Sequence, residues 1–196
     1  MISAFLRKHS FDVVFDSQQV YRLLLEAVSN PARIVSIREY ADKLFGGHPA
    51  FLAVAMTLMD NEVSFTTCSN QPLAEEIVSL TLAMKETTER ADFVFVCDPH
   101  DLNDLKNIMR KVKSGTLADP HRSATVIIRN DGVPACPLKL SGPGIDGHTT
   151  VSVTQRVKDA IALRKNRSDE YPQGIDLIFV SSGGELLAVP RLVGDG

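Results

Sequence analysis

The sequence lacks the features that define several large classes of protein. It has only three cysteines, Cys68, Cys97 and Cys136, and they lie far apart, so we expect reduced thiols rather than a disulfide framework. It lacks a basic surplus, because its formal net charge is −3, and this disfavours nucleic-acid binding. It also lacks a long apolar run, since the longest, residues 50–59, is about half of a membrane span. We therefore expect a cytoplasmic protein that binds neither nucleic acid nor membrane.

The composition is that of an ordinary globular protein. The chain has 196 residues, of which 44% are hydrophobic and 23% are charged. A chain of this length can bury one substantial core, and no linker-like segment divides it. We therefore predict a single domain over residues 1–196.

Short β-branched runs alternate with amphipathic helical patterns along the first two thirds of the chain. Asp16 and Gln19 resemble a capping box before a helix, and Thr154 can cap a later helix. Pro49 can open a helix at its first turn. The predicted helices cover residues 20–28, 49–58, 72–84, 101–112 and 154–164, and the predicted strands cover residues 34–37, 63–67, 93–97, 124–128, 138–140, 149–153, 175–180 and 186–189.

Two turn signals predict antiparallel hairpins in the last third of the chain. Asn130-Asp131-Gly132 supplies the residues that favour a tight hairpin turn, and Gly183-Gly184 marks a second turn. Parallel pairing is expected earlier, where strands alternate with helices. The sequence therefore predicts an α/β fold with a mixed sheet.

A glycine-rich segment matches a dinucleotide-binding motif letter for letter. Residues 142–147 have the spacing Gly-x-Gly-x-x-Gly, but Pro143 removes one amide donor and the residues that follow favour a strand instead of a helix. We therefore favour a simple turn at the end of a strand. A weaker alternative is that the amides of Gly142 and Gly144 hold an anion.

Other catalytic and metal-binding motifs are weak or missing in the sequence. His100 lies between Asp98 and Asp101, which is compatible with a metal site but equally with an ordinary loop. Ser141 and Ser181 do not lie in a Gly-x-Ser-x-Gly elbow, and the sequence has no phosphate-binding P-loop. The residues therefore predict no self-contained catalytic site and no metal.

Asp176 is a polar residue inside an apolar predicted strand. A carboxylate in that position needs a partner, and Arg167 and Arg191 are the candidates. We favour a structural ion pair. The alternative is an anion-binding site built from Gly142, Gly144, Arg167 and Arg191, since arginine binds phosphate and phosphonate well, and such a pocket would suit a stand-alone transferase or a regulator.

Several segments, in consistent order along nearly the whole chain, resemble one protein family. They are Tyr21–Pro31; Gly115-Thr116 with Pro120 and Ser123–Thr125; Leu140–Ile145; Asn166-Arg167 with Tyr171–Ile178; and Leu187–Arg191. Together they resemble the family of the H subunit of the bacterial carbon–phosphorus lyase system (PhnH). The chain departs from that pattern at Ala32, where the family usually has Gly, at Gln173, where Leu is commoner, and at Leu192-Val193, where Thr-Thr is frequent.

The resemblance implies both a fold and a role. The fold would be a three-layer α/β/α sandwich similar to the large domain of pyridoxal-phosphate-dependent transferases, but without that cofactor. The family forms homodimers and joins a core complex with G, I and J subunits, which transfers a phosphonate to the ribose C1′ of ATP and releases adenine. The resemblance supplies no catalytic residue for this subunit, so we expect an accessory role.

Overall fold

The computed structural model describes residues 9–97 and 102–195, which form two sheets flanked by helices. The helices are α1 (Phe15–Ser29), α2 (Arg38–Ala41), α3 (Pro49–Leu58), α4 (Gln71–Thr81), α5 (Leu102–Lys111) and α6 (Gln155–Lys165), with a 3-10 turn at Pro120–Arg122. The strands are β1 (Ile34–Ser36), β2 (Ser64–Thr66), β3 (Met84–Lys85), β4 (Phe93–Val96), β5 (Thr125–Arg129), β6 (Cys136–Ser141), β7 (Thr149–Val153), β8 (Asp176–Val180), β9 (Glu185–Val189) and β10 (Gly194–Asp195).

The main sheet is mixed, as the sequence predicts. Its seven strands follow the order β1-β9-β8-β5-β4-β2-β3. The five neighbouring strands β8, β5, β4, β2 and β3 pair in parallel, whereas β9 is antiparallel to both of its neighbours, β1 and β8. A second, antiparallel sheet has the order β10-β6-β7.

Buried side chains cover both faces of the main sheet. In β5, Ile127 packs into a core shared with α1, α3 and α4, whereas Val126 and Ile128 pack into a second core with α5 and α6. The same alternation occurs in β4, where Phe95 belongs to the first core and Val94 to the second. Successive strand residues point to opposite faces, so these apolar strands are buried on both sides.

The predicted hairpin at residues 130–132 is wrong, whereas the hairpin between β8 and β9 is confirmed. Both edges of β5 are already occupied by parallel partners, β4 and β8, so β6 pairs in the other sheet. None of Asn130, Asp131 and Gly132 adopts the positive φ that the predicted turn requires. Instead, the carboxylate of Asp131 accepts a hydrogen bond from the Ser182 amide at 2.6 Å, which turns the chain away from β5.

The first helix begins earlier than its predicted capping box. The Asp12 carboxylate accepts hydrogen bonds from the amides of Val14 (2.8 Å) and Phe15 (2.9 Å). Asp16 lies inside the helix, where its carboxylate accepts the Asp12 amide at 2.8 Å and pairs with Lys43 at 2.7 Å. Asp12 is therefore the residue that satisfies the free amides at this helix start.

Candidate functional site

A crevice opens where the connections of two neighbouring parallel strands leave in opposite directions. From β2 the chain passes through α4 to the edge strand β3, and from β4 it passes through α5 to β5 on the other side. The two helices belong to the two different cores, α4 to the first and α5 to the second. Open α/β sheets bind ligands at such points, outside the carboxyl ends of the strands. A cavity of about 770 Å³ lies there.

The crevice has polar and apolar walls. On α5, Asp104, Asn107, Ile108 and Lys111 follow the spacing of one helix face, so the crevice extends along about two helical turns. The other lining residues are Thr67, Cys68, Ser69, Asn70, Pro72, Thr88, Val96 and Cys97. The volume lies within the range of small-molecule sites.

The start of α4 borders this crevice but has no spare amide for an anion. The Asn70 side chain accepts a hydrogen bond from the Leu73 amide at 3.1 Å, and the Gln71 amide donates to the Ser69 carbonyl at 3.1 Å. Pro72 has no N–H group. Because a phosphate bound at a helix start needs free amides, this terminus does not form a phosphate cradle.

The ionisable groups around the crevice are neutral or already have partners. Desolvation raises the pKa of the Cys68 thiol to about 11, so the thiol stays protonated near neutral pH and is a poor nucleophile. The Lys111 ammonium lies 3.4 Å from the Glu89 carboxylate. His48 shares a 3.0 Å hydrogen bond with the Asn70 amide. Of these three side chains, the thiol is neutral and the lysine and the histidine already have partners.

One side of α1, together with the residue just before the helix, presents an apolar stripe, defined here as Val14, Tyr21, Leu25 and Val28. Their exposed fractions are 66%, 52%, 51% and 41%, although Val20, Leu24 and Ala27, on another side of the same helix, are buried. Their spacing of seven, four and three residues places them along one side of the helix. The neighbouring edge strand β1 also exposes Ile34. Exposed apolar side chains aligned along one side of a helix are a feature of interaction surfaces.

The described ranges hold neither a cluster suited to a metal ion nor a helix suited to a membrane span. Residues 9–97 and 102–195 contain no cluster of three His, Cys, Asp or Glu side chains that could hold a metal ion. The predicted metal alternative at Asp98, His100 and Asp101 lies outside the described residues. No helix in the same ranges is both long enough and apolar enough to cross a bilayer.

The glycine-rich segment forms the connection between antiparallel β6 and β7, so the turn interpretation is confirmed and a dinucleotide-binding unit is excluded. Gly142 has φ 134° and packs so closely that a Cβ atom would lie 2.6 Å from the Leu192 carbonyl. Gly144 packs against the Ser29 carbonyl and lines a separate cavity with His148.

Of the four residues in the alternative anion site, the structure brings the two arginines together. Arg167 and Arg191 line a cavity of about 250 Å³ at the end of α6, and Gly144 does not line it. The Arg167 guanidinium pairs with Asp169 at 2.7 Å and donates to Ser114 Oγ at 2.6 Å. The glycine loop and the arginines therefore do not form one cavity.

Asp176 forms its ion pair with Arg191. One carboxylate oxygen lies 2.5 Å from Arg191 Nη2, and the other accepts the Arg191 backbone amide at 2.8 Å. Arg191 Nη1 also donates to the Pro120 carbonyl at 2.6 Å. These bonds tie the start of β8 to the segment after β9 and to the 3-10 turn.

Sequence reasoning missed Arg164, which lies in the last turn of α6 and is only 9% exposed. Its Nη1 donates to the carbonyls of Val189 (2.7 Å) and Pro190 (3.1 Å), and its Nη2 donates to the Val193 carbonyl. Desolvation lowers the pKa of Arg164 to about 10, although nearby Asp176 opposes the shift. The spacing could have indicated that Arg164 is buried, because it lies about one helical turn after the apolar Ile161 and so on the same side of α6.

Comparison with known proteins gives two matches. Residues 9–193 match the sequence model of a family described as "Bacterial phosphonate metabolism protein (PhnH)". A protein of Stutzerimonas stutzeri, provisionally described as the C-P lyase subunit protein HtxG, is 29% identical over 175 residues, which is 89% of this chain and 83% of that protein.

Proposed function

Because the chain belongs to the PhnH family of bacterial phosphonate metabolism proteins, we propose that it is a subunit of a cytoplasmic carbon–phosphorus lyase assembly. In that assembly it supports transfer of a phosphonate to the ribose C1′ of ATP with release of adenine. Its role is accessory, and the reacting groups belong to the other core subunits, of the G, I and J types. The description of the Stutzerimonas relative as a lyase subunit supports this proposal.

The observation that carries the proposal is the apolar stripe of α1. Tyr21 and Leu25 each expose about half of their surface on a helix whose inner face is fully packed, so the helix is already stable without a partner. A few large apolar or aromatic side chains provide most of the binding energy at protein interfaces. We assign the stripe as the surface that docks on another subunit of the assembly.

The crevice supports an accessory role as well. Of its two cysteines, Cys68 is protonated near neutral pH, its lysine Lys111 pairs with a glutamate, and the neighbouring His48 pairs with an asparagine. Groups of these three kinds can act as a nucleophile, a general base or a Schiff-base amine. Because each of the three is neutral or already paired, they support the proposal that the transfer chemistry belongs to the partner subunits.

Co-purification tests both parts of the proposal. The tagged chain is co-expressed with the G, I and J subunits of the same system, and the subunits that it retains are measured. We expect the wild-type chain to retain them, Leu25→Glu to retain less than a tenth, and Leu117→Glu to match the wild type. Leu117 is a suitable control because it is also exposed but lies outside the stripe, in the segment between α5 and the 3-10 turn.

The outcomes separate the two claims. If the wild-type chain retains none of the three subunits, the subunit proposal is wrong. If Leu25→Glu retains them fully, the subunit proposal survives and the stripe is not the docking surface. Circular dichroism of both variants excludes unfolding as the cause of a loss.

The proposal extends to the oligomeric state and to the cofactor. The subunit forms a homodimer, and its layered fold is similar to the large domain of pyridoxal-phosphate-dependent transferases but functions without that cofactor. Helices on both faces of a mixed sheet support the layered fold. A crevice lysine that is already paired supports function without the cofactor. Sedimentation equilibrium tests the dimer. To test whether the chain binds pyridoxal phosphate, it is incubated with the cofactor and passed through gel filtration, and its visible absorbance is measured. Visible absorbance retained with the protein would contradict the proposal that it functions without this cofactor.

A further inference from the structure

A groove with a basic rim lies between the C-terminal halves of α5 and α6, which pack against each other. The Arg167 guanidinium, just after α6, donates to the Val112 carbonyl, just after α5, at 2.9 Å and holds the two helix ends together. The cavity between the helices measures about 350 Å³. Three cations, Lys106, Arg110 and Arg167, line it against one carboxylate, Asp169. The groove is therefore basic on a chain whose formal net charge is −3.

Two of these cations are available to a partner. Lys106 and Arg110 are exposed, and neither has a hydrogen-bond or ion-pair partner in the described ranges. Arg110 lies in the last turn of α5, where a cation also stabilises the helix end, but Lys106 lies before that turn and gains little from it. The nearby carboxylates of Asp159 and Glu170 do not line the groove, and Asp159 accepts a hydrogen bond from Gln155 at 2.8 Å.

The floor of the groove is apolar. Met109 lines it and is only 1% exposed, and the half-buried Leu163 lines it from α6. Met109 and Leu163 both belong to the core on the α5 and α6 side of the main sheet, so the helices hold the floor in place. An apolar floor between exposed cations can receive a large apolar side chain whose neighbours carry negative charge.

The spacing of the two free cations favours an acidic segment over a single small ion. Residues four apart on a helix have Cβ atoms about 6 Å apart, so Lys106 and Arg110 can contact different carboxylates. Solvent screens each exposed cation, so one ion gains little from either of them. A segment with several carboxylates engages both cations at once and also covers Leu163.

We propose that Lys106, Arg110 and Leu163 form a docking groove for an acidic segment of a partner protein, with a large apolar side chain between its carboxylates. The groove lies on the face of the main sheet that α5 and α6 cover, whereas α1 packs on the other core. It is therefore separate from the α1 stripe, and it does not depend on membership of the lyase assembly.

Fluorescence anisotropy with the purified full chain tests the groove. The probe is a short labelled peptide in which glutamates flank two central leucines. Because the chain and the probe are both net negative, general attraction does not bring them together. We expect binding at an ionic strength of about 0.05 M that weakens at least fivefold at about 0.3 M. Absence of binding would overturn the proposal.

Three competitors test the chemistry of the occupant. A peptide with serines in place of the leucines, ATP, and an oligothymidylate of the same charge as the probe are each expected to bind at least threefold more weakly than the probe. If any of the three binds as tightly as the probe, the occupant is not an acidic segment with an apolar side chain.

Matched double variants locate the binding. Lys106→Glu with Arg110→Glu is expected to lose at least tenfold in affinity for the probe. Lys85→Glu with Lys139→Glu changes the net charge equally at exposed positions outside the groove, and its affinity should stay within threefold of the wild type. Equal affinities, or equal losses in both double variants, would overturn the assignment. If circular dichroism shows that the first double variant is unfolded, Lys106→Gln with Arg110→Gln replaces it, and less than a threefold loss would overturn the assignment instead.

Discussion

Replacing Arg164 by Met is predicted to destabilise the protein strongly, although the side chain is far from the crevice and the α1 stripe. Met retains most of the buried aliphatic volume but none of the donors. The carbonyls of Val189 and Val193 lose their bonds to the guanidinium, whereas the Pro190 carbonyl keeps the Val193 amide. A hydrogen bond to a charged group contributes about 1.5–3 kcal/mol. Relief from burying a charge offsets part of the loss, so the expected cost is about 3–5 kcal/mol.

Urea unfolding measures this cost. With a slope of about 2 kcal/mol per molar, the unfolding midpoint is expected to fall by roughly 1.5–2.5 M. The neighbouring Lys165→Met is the control, because Lys165 is exposed, and its midpoint should change by less than about 0.3 M. If the midpoint of Arg164→Met decreases by less than about 0.5 M, this arginine does not hold the end of α6 against the C-terminal segment.

Further predictions concern pH. Desolvation raises the pKa of Asp92, but hydrogen bonds from Lys113 and from Ser64 outweigh it and hold the pKa below its ordinary value. The ionised Asp92 carboxylate therefore stabilises the fold above about pH 4, and this stabilisation is lost as the pH falls through the lowered pKa. Because Asp92→Asn lacks this group, its urea midpoint should decline less than that of the wild type between pH 7 and pH 3. Asp146→Asn, at an exposed position, should follow the wild type, and an unchanged acid dependence in Asp92→Asn would contradict the reasoning. The Cys68 thiol has a pKa near 11, so it should react slowly with Ellman's reagent at pH 8. The reaction rate should rise about tenfold per pH unit up to that pKa. A fast reaction that does not depend on pH would instead show that the thiolate is present at neutral pH.

The periodicity of the sequence predicts most helices and strands because local chemistry determines them. Pro49 begins α3 as predicted, and Thr154 caps α6 by accepting a hydrogen bond from the Val157 amide at 3.4 Å. The helix predicted to reach Met84 ends at Thr81, because Leu82 adopts a left-handed backbone with φ 62° and Met84 continues into β3. That conformation is unusual for leucine, and no local signal announces it.

Long-range pairing and the sites depend on contacts that a single sequence does not contain. The Asn130–Gly132 signal for a hairpin is strong, but β5 is already paired on both edges by strands from distant parts of the chain. The sequence suggests Arg167 and Arg191 as the first candidates for the partner of Asp176, and only the fold selects Arg191. The crevice brings together residues 67–72, residue 88 and α5, and these segments share no sequence motif.

We propose above that this subunit acts through the α1 stripe. Its most direct test is the affinity of the purified chain for the assembled remaining subunits, measured by biolayer interferometry for the wild type, Tyr21→Ala and Leu117→Ala. We expect Tyr21→Ala to lose at least tenfold in affinity, about 1.4 kcal/mol, with an unchanged urea midpoint, and Leu117→Ala to keep the wild-type affinity. Equal affinity of all three chains would contradict it.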